Sequence, residues 1–302
     1  LEKALEAIRA SGLVGVHAMG VGDQTLALYE SLDLPVKVWV YLSPDSKAAD
    51  RLKAEGPWGE GRLRVVGVKM FADGALGSRG ALLSQDYADE PGHRGLALTD
   101  TPALTEWATA LLAKDAQLAV HAIGDQGVRN TLDAFEAARK AHPDSKRPLR
   151  VEHAQVVHPD DVPRFAQLNA VASMQPTHAS SDSPWAEARL GPERVKWAYA
   201  WRTLLDAGAT MAFGSDFPVE EYSPSYGIEA AIHRDWQADQ RLDFATTIGL
   251  FSEGAYDALG EQGGTIRVGG PADLTLWRAV ERDSGLWFEA TSTLVDGEVS
   301  LR

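Results

Sequence analysis

Four apolar, strand-like runs each deliver a residue that can bind a metal or carry a proton at, or just before, the C-terminal end. They are residues 65–70 with Lys69, 118–120 running into His121, 149–151 running into Glu152 and His153, and 211–214 running into Ser215 and Asp216. A strand–helix alternation that places titratable groups at strand ends is what a (β/α)8 barrel needs to gather distant residues on one face. The pattern predicts an α/β enzyme scaffold.

The 302 residues suffice for one such barrel, about 250 residues in typical cases, and a modest appendage. Seven buried strands are predicted, at 13–16, 36–42, 63–71, 117–121, 149–153, 170–174 and 210–214, each followed by helical or long-loop sequence. A closed barrel requires eight. Asp23 and Asp125 sit where helix N-caps belong, Gly-rich residues 73–100 read as a long loop, and 175–191 as a polar one. After Asp216 come a helix near 244–259, strand-like runs at 265–268 and 273–277, and a hairpin turning at Gly297. The expected division is a barrel over 1–262 and a C-terminal β segment of a small sandwich over 263–302. Leu1 opens directly into a helical pattern with neither initiator Met nor signal peptide, so an upstream segment is expected.

With 29 Lys and Arg against 43 Asp and Glu, the net charge of −14 argues against nucleic acid or an anionic membrane as partner. No apolar run is long enough to span a bilayer. The absence of cysteine fits a cytoplasmic protein and leaves only nitrogen and oxygen ligands for any metal. A small-molecule substrate is the expected partner, and a homodimer is compatible with the sequence.

His121 closes an apolar strand in Leu118-Ala-Val-His-Ala-Ile-Gly-Asp125. A lone histidine there is more often a satisfied core residue. His153 ends the equivalent strand one βα unit later, so barrel geometry sets the two imidazoles side by side. Paired imidazoles without thiolates suit Zn, with Fe or Mn as alternatives. Lys69 would bury an ammonium within a strand, which is costly unless it is paired with Asp73 or Asp216. Alternatively its amine carries a carboxylate added by carbon dioxide, since an ammonium has no lone pair to offer a metal. Asp216, in Phe213-Gly-Ser-Asp-Phe-Pro218, is either a helix cap or a general base beside a metal. His17 packs in the core or behind the site, and His178 either touches substrate or is solvated on its loop. Arg79 either holds a carbonyl or carboxylate of a substrate or serves the loop structurally.

Together, Val68-Lys-Met-Phe-Ala-Asp-Gly-Ala-Leu-Gly-Ser-Arg79, Val120-His-Ala-Ile-Gly-Asp125, Val151-Glu-His-Ala-Gln155 and Phe213-Gly-Ser-Asp-Phe-Pro218 resemble the amidohydrolase superfamily. The match is to its YtcJ-like branch, amidohydrolase family 3, which includes N-substituted formamide deformylases. The tail from Gly263 and Leu294-Val-Asp-Gly297 resemble that family's C-terminal segment. The resemblance implies a TIM (β/α)8-type barrel, incomplete here by its first strand, and part of a small β-sandwich. It also implies Lys69 as a carboxylated bridging ligand, His121 and His153 as ligands of a divalent metal, and Asp216 as a further ligand and the catalytic carboxylate. Asp73, Arg79 and His178 would face substrate.

The implied activity is metal-dependent hydrolysis of a C–N bond in an amide, formamide or cyclic amide. The family's first strand bears a His-x-His pair that occurs nowhere in this chain. One rival is therefore a non-catalytic barrel fragment. Another keeps the metal but cleaves an ester, lactone or phosphotriester.

Overall fold

The computed structural model describes residues 1–282 and 285–301. Its main sheet is built from β1 (Gly15–Val21), β2 (Lys37–Leu42), β3 (Trp58–Glu60), β4 (Leu63–Phe71), β5 (Gln117–Ala122), β6 (Leu149–His153), β7 (Ala170–Met174) and β8 (Thr210–Phe213). Seven of these pair in parallel in the order β1-β2-β4-β5-β6-β7-β8, while β3 adds antiparallel to β4. Among the described residues β8 does not pair with β1, so the sheet is a TIM-type barrel left open by one strand. Every residue of β6 and β7 is buried, as the near-continuous apolar runs of a sheet covered on both faces require. A second sheet, β11-β10-β9, comprises β9 (Leu274–Arg282), β10 (Gly285–Val295) and β11 (Glu298–Leu301).

The outer layer consists of amphipathic helices. Asp125–Ala141, the longest at 17 residues, buries Val128, Leu132, Phe135 and Ala138, the spacing of a single helical stripe. Pro102 follows the Asp100 cap of Thr101–Leu112, and the Asp100 carboxylate accepts the Ala103 N–H.

Several sequence expectations shift. The first strand is Gly15–Val21 rather than 13–16, which places His17 within the strand and not at its end. The stretch 175–191 holds two helices, Pro176–Asp182 and Ala186–Arg194, the first started by a proline at N1. Residues 265–268 form no strand, because Ile266 and Val268 are fully out in solvent with no neighbour to pair with. The helix expected over 244–259 breaks at Ser252, whose φ/ψ of −115°/−81° separates Phe244–Phe251 from Glu253–Asp257. Asp23 does not cap its own helix; its carboxylate accepts the N–H groups of Lys47 and Ala48 and so closes the start of the next one.

Residues 258–259 seal the bottom of the open barrel. The Ala258 carbonyl accepts from Gln117 Nε2 at 2.8 Å and the Leu259 carbonyl from Arg147 Nη1 at 2.8 Å. The small sheet is stitched to the first helix, Glu2–Ala10, by Thr293 Oγ1 to the Arg9 carbonyl and by Arg9 Nη2 to the Glu298 carbonyl. Arg62 adds ion pairs with Asp296 and Glu298. Among the described residues, no helix is long and apolar enough to cross a membrane.

Candidate metal centre

Strand register brings the singled-out residues to one end of the barrel. Phe71 pairs with His121, His121 with Glu152, and Glu152 with Ser173. Side chains alternate along a strand, so Lys69 and His121 share the inward face with Arg150, Glu152 and Ser173. Alternation alone would send His153 outward. Instead His153 and Ala154 adopt left-handed backbones with φ of 73° and 43°, which end the strand, and the His153 ring packs 4.5 Å from that of His121. Asp216 is also left-handed, at φ 58°. Non-glycine residues held there store strain of a kind that clusters at functional sites.

Lys69 is 6% exposed, and its Nζ reaches only the Met70 carbonyl, at 3.5 Å, and the face of Phe71. No carboxylate among the described residues lies within 4.0 Å of it, so the expected direct pairing with Asp73 or Asp216 is not made. Burial lowers its pKa to about 8, opposed by the more distant charges of Glu152 and Asp216. Burial, helped by Lys69, takes His121 down to about 4 and holds His153 well below the usual histidine range. Both imidazoles are therefore neutral at pH 7, as a metal ligand must be. Burial raises Asp216 to about 6, against the pull of Lys69, although 39% of its side chain stays open to the cleft.

Hydrogen bonds decide which ring nitrogens are free. His153 Nδ1 lies 2.8 Å from Gln175 Oε1, which can only accept, so the proton is on Nδ1 and the Nε2 lone pair is available. His121 Nε2 lies 3.3 Å from the Gly74 carbonyl and 3.5 Å from Asp73 Oδ1, so that nitrogen carries the proton. His178 is buried beside Gln155, its Nε2 has no hydrogen-bond partner, and that atom is 4.0 Å from Asp216 Oδ2. Donor atoms of His153, His178 and Asp216 lie within 4.8 Å of one another. These nitrogen and oxygen donors fit a divalent cation.

Two expected substrate residues are engaged elsewhere. Asp73 is fully buried and accepts N–H groups from Leu82, Ile123 and Gly124, clamping the loop at 73–100 onto β5. Arg79 forks onto Asp89 at 3.0 and 3.1 Å and reaches Glu90 at 3.2 Å. Neither lines the cleft, a cavity of about 920 Å³ bounded by His17, Lys69, His153, Asp216, Phe251 and Tyr256 among others.

Below the mouth lies a network that the sequence reading missed. The Arg150 guanidinium, 3% exposed, donates to both Glu152 oxygens at 2.7 and 3.1 Å, to Ser173 Oγ at 2.9 Å, to Tyr41 Oη at 3.0 Å and to His17 Nδ1 at 2.5 Å. His17 thus belongs to the barrel interior, where burial and the Arg150 charge keep it neutral. Its sequence signal is Arg150 and Glu152 two residues apart in an apolar strand, the spacing that puts both on one face.

Comparison with known proteins places the chain among relatives. The family model described as Amidohydrolase family matches residues 1–300. Putative amidohydrolase YtcJ of Bacillus subtilis is 31% identical over 99% of this chain and 60% of its own length. Protein LONG AFTER FAR-RED 3 of Arabidopsis thaliana is 35% identical over 77% of this chain and 40% of its own. The crystal structure of an uncharacterized metal-dependent hydrolase from Pyrococcus furiosus superposes with a TM-score of 0.80 and 34% identity, covering 87% of this chain and 56% of that one. The chain thus spans only about half the length of the relatives it matches. With the family model matched over residues 1–300 of 302, the chain belongs to the amidohydrolase family.

Proposed function

We propose that this chain supplies the catalytic mouth of a metal-dependent hydrolase acting on C–N bonds of amides, formamides or cyclic amides. Lys69, His121, His153 and Asp216 are the residues that would hold the cation, with Lys69 carboxylated on its amine. A lysine lowered to about 8 has an appreciable neutral fraction near physiological pH, the form that reacts with carbon dioxide. When bound, a divalent cation supplies Lewis acidity, which polarises a carbonyl and eases deprotonation of water.

The chain's own residues do the rest. Gln175 fixes the His153 tautomer, and the Arg150 guanidinium holds the Glu152 carboxylate in place on the inward face of the barrel. Asp216 takes the proton of the attacking water and returns it to the departing nitrogen. A carboxyl near 6 is ionised at neutral pH and still basic enough for that exchange. The observation that carries this reading is the approach of a neutral His153 and the Asp216 carboxylate to ligand-sharing distance at the rim of one cleft.

The test is Asp216→Asn, assayed against an amide panel with zinc in excess, so that a weaker ligand does not empty the site. Turnover is expected to fall by roughly 10²–10⁴-fold, the usual contribution of a positioned proton carrier, with zinc content per chain unchanged. Equal turnover in the variant would eliminate this mechanism. Zinc bound without turnover in the unmodified chain would favour the non-catalytic rival, which the missing His-x-His pair supports.

A further inference from the structure

We infer that Phe217, Val219 and Tyr222 form the subsite for the substituent on the departing nitrogen, and that this substituent is aromatic. The inference rests on the hydrolase reading above and names the substrate class within it.

The subsite is built on one turn. The Val219 N–H donates to the Asp216 carbonyl at 2.9 Å, which folds the chain back on itself directly after Asp216. Phe217, Val219 and Tyr222 line the same cleft as Asp216. Phe217 is 52% exposed and Val219 68%, although both are large and apolar. Single exposed apolar residues are ordinary. Two in one turn, lining a cleft beside a proton carrier, make the apolar wall that ligand pockets set against a few polar groups. The Phe217 ring packs edge-on to Tyr222, with centroids 5.4 Å apart and planes at 88°. With half of its surface open, it keeps room for a further ring, the partner that its quadrupole favours. The wall is also held in place, because Glu220 Oε1 accepts from Ser181 Oγ at 2.7 Å and ties the segment to the helix Pro176–Asp182. A wall ordered before binding loses little entropy when a ligand packs on it.

Proton transfer decides which part of the substrate this wall meets. Asp216 returns a proton to the departing nitrogen, so that atom must come within about 2.6–3.2 Å of the carboxylate. The substituent on nitrogen then starts one bond away, beside the residues that follow Asp216 in the chain. On the side of Lys69 and His153 the cleft is lined by Glu152, Ser173 and Gln175, all polar. An apolar ring therefore gains contact on the nitrogen side and not on the acyl side.

Two isomeric amides separate those sides. N-benzylacetamide carries its ring on nitrogen, whereas N-methylphenylacetamide carries the same ring on the acyl group. Hydrolysis releases acetate and benzylamine from the first, phenylacetate and methylamine from the second, and chromatography distinguishes them. The zinc-loaded chain should cleave the first with a kcat/KM about 10-fold higher, a discrimination of the size apolar contacts supply. Phe217→Ala should cut that ratio by about 2–10-fold, the contribution of an aromatic pair, while Phe217→Tyr should keep it. Any disturbance of the neighbouring Asp216 affects both isomers and cancels in the ratio. Val219→Asp should also lower the ratio, and because Val219 is 68% exposed this variant keeps the test open if Phe217→Ala unfolds. Ligand-observed NMR on zinc-loaded Asp216→Asn measures binding of both amides without turnover and should give the same order. Equal or reversed preference in the unmodified chain, or a ratio unmoved in folded Phe217→Ala and Val219→Asp, would overturn the subsite while leaving the hydrolase reading intact. Preferential binding of N-benzylacetamide with neither amide cleaved would uphold the aromatic subsite and remove the hydrolase reading. Neither amide bound nor cleaved would remove both.

Discussion

Replacing Arg150 by Met should be among the most destabilising single changes at this end of the barrel. The guanidinium is 3% exposed and neutralises Glu152, itself 4% exposed. Removing one partner of a buried ion pair costs about 3–5 kcal/mol because the remaining charge stays unpaired. Ser173 Oγ and His17 Nδ1 also lose their donor, whereas Tyr41 keeps its bond to Gln117 Oε1 at 2.6 Å. In the double variant Arg150→Met, Glu152→Met the stranded charge is gone and only those two hydrogen-bond losses persist, about 1 kcal/mol each. The double variant should therefore be about 2 kcal/mol more stable than Arg150→Met alone, whereas for independent sites a second destabilising change would only add to the cost. Urea unfolding of the metal-free protein, followed by tryptophan fluorescence and circular dichroism, measures both quantities. A cost below 1 kcal/mol for the single change, or a double variant no more stable than the single, would refute this account of the network.

Two further outcomes follow from the same packing. A Cβ on Gly127 would stand 2.4 Å from Asp73 Oδ2, so Gly127→Ala should cost about 1–3 kcal/mol as an overpacked site and loosen the loop that Asp73 clamps, read as faster limited proteolysis within residues 73–100. Lowering Lys69 from 10.5 to about 8 corresponds to about 3 kcal/mol of destabilisation at neutral pH. Between those values the unfolded chain binds more protons, so stability of the metal-free protein should rise as pH increases from about 8 to 10.5. Lys69→Met should be more stable at pH 7 and lack that rise, and urea midpoints across the window would show it.

The barrel strands were legible because a parallel sheet buried on both faces writes itself as unbroken apolar runs, and residues such as Lys69 and His153 interrupt them conspicuously. What stayed hidden depends on partners distant in the chain. Asp73 reads as a site residue by position, yet its oxygens are consumed by N–H groups up to 51 residues away. Arg79 looked available until Asp89 and Glu90 folded back against it. Asp23 and Asp125 both stand near helix starts, but each serves another segment, Asp23 the helix from Lys47 and Asp125 the backbone of Ser84. The orphaned nitrogen of His178 arises because Pro176 begins a helix where the sequence suggested an irregular loop.

The seam between the first helix and the small sheet joins residues 289 and 284 positions apart. Contacts of such separation close a very long loop, and they slow folding because chain entropy is lost before the contacts stabilise anything. During synthesis the helix at residues 2–10 emerges well before its partner strands, which lie more than 270 positions further on. Until β10 and β11 arrive, the C-terminal end of that helix lacks the hydrogen-bond partners that fix Arg9, and a ribosome-bound intermediate would show it to chaperones.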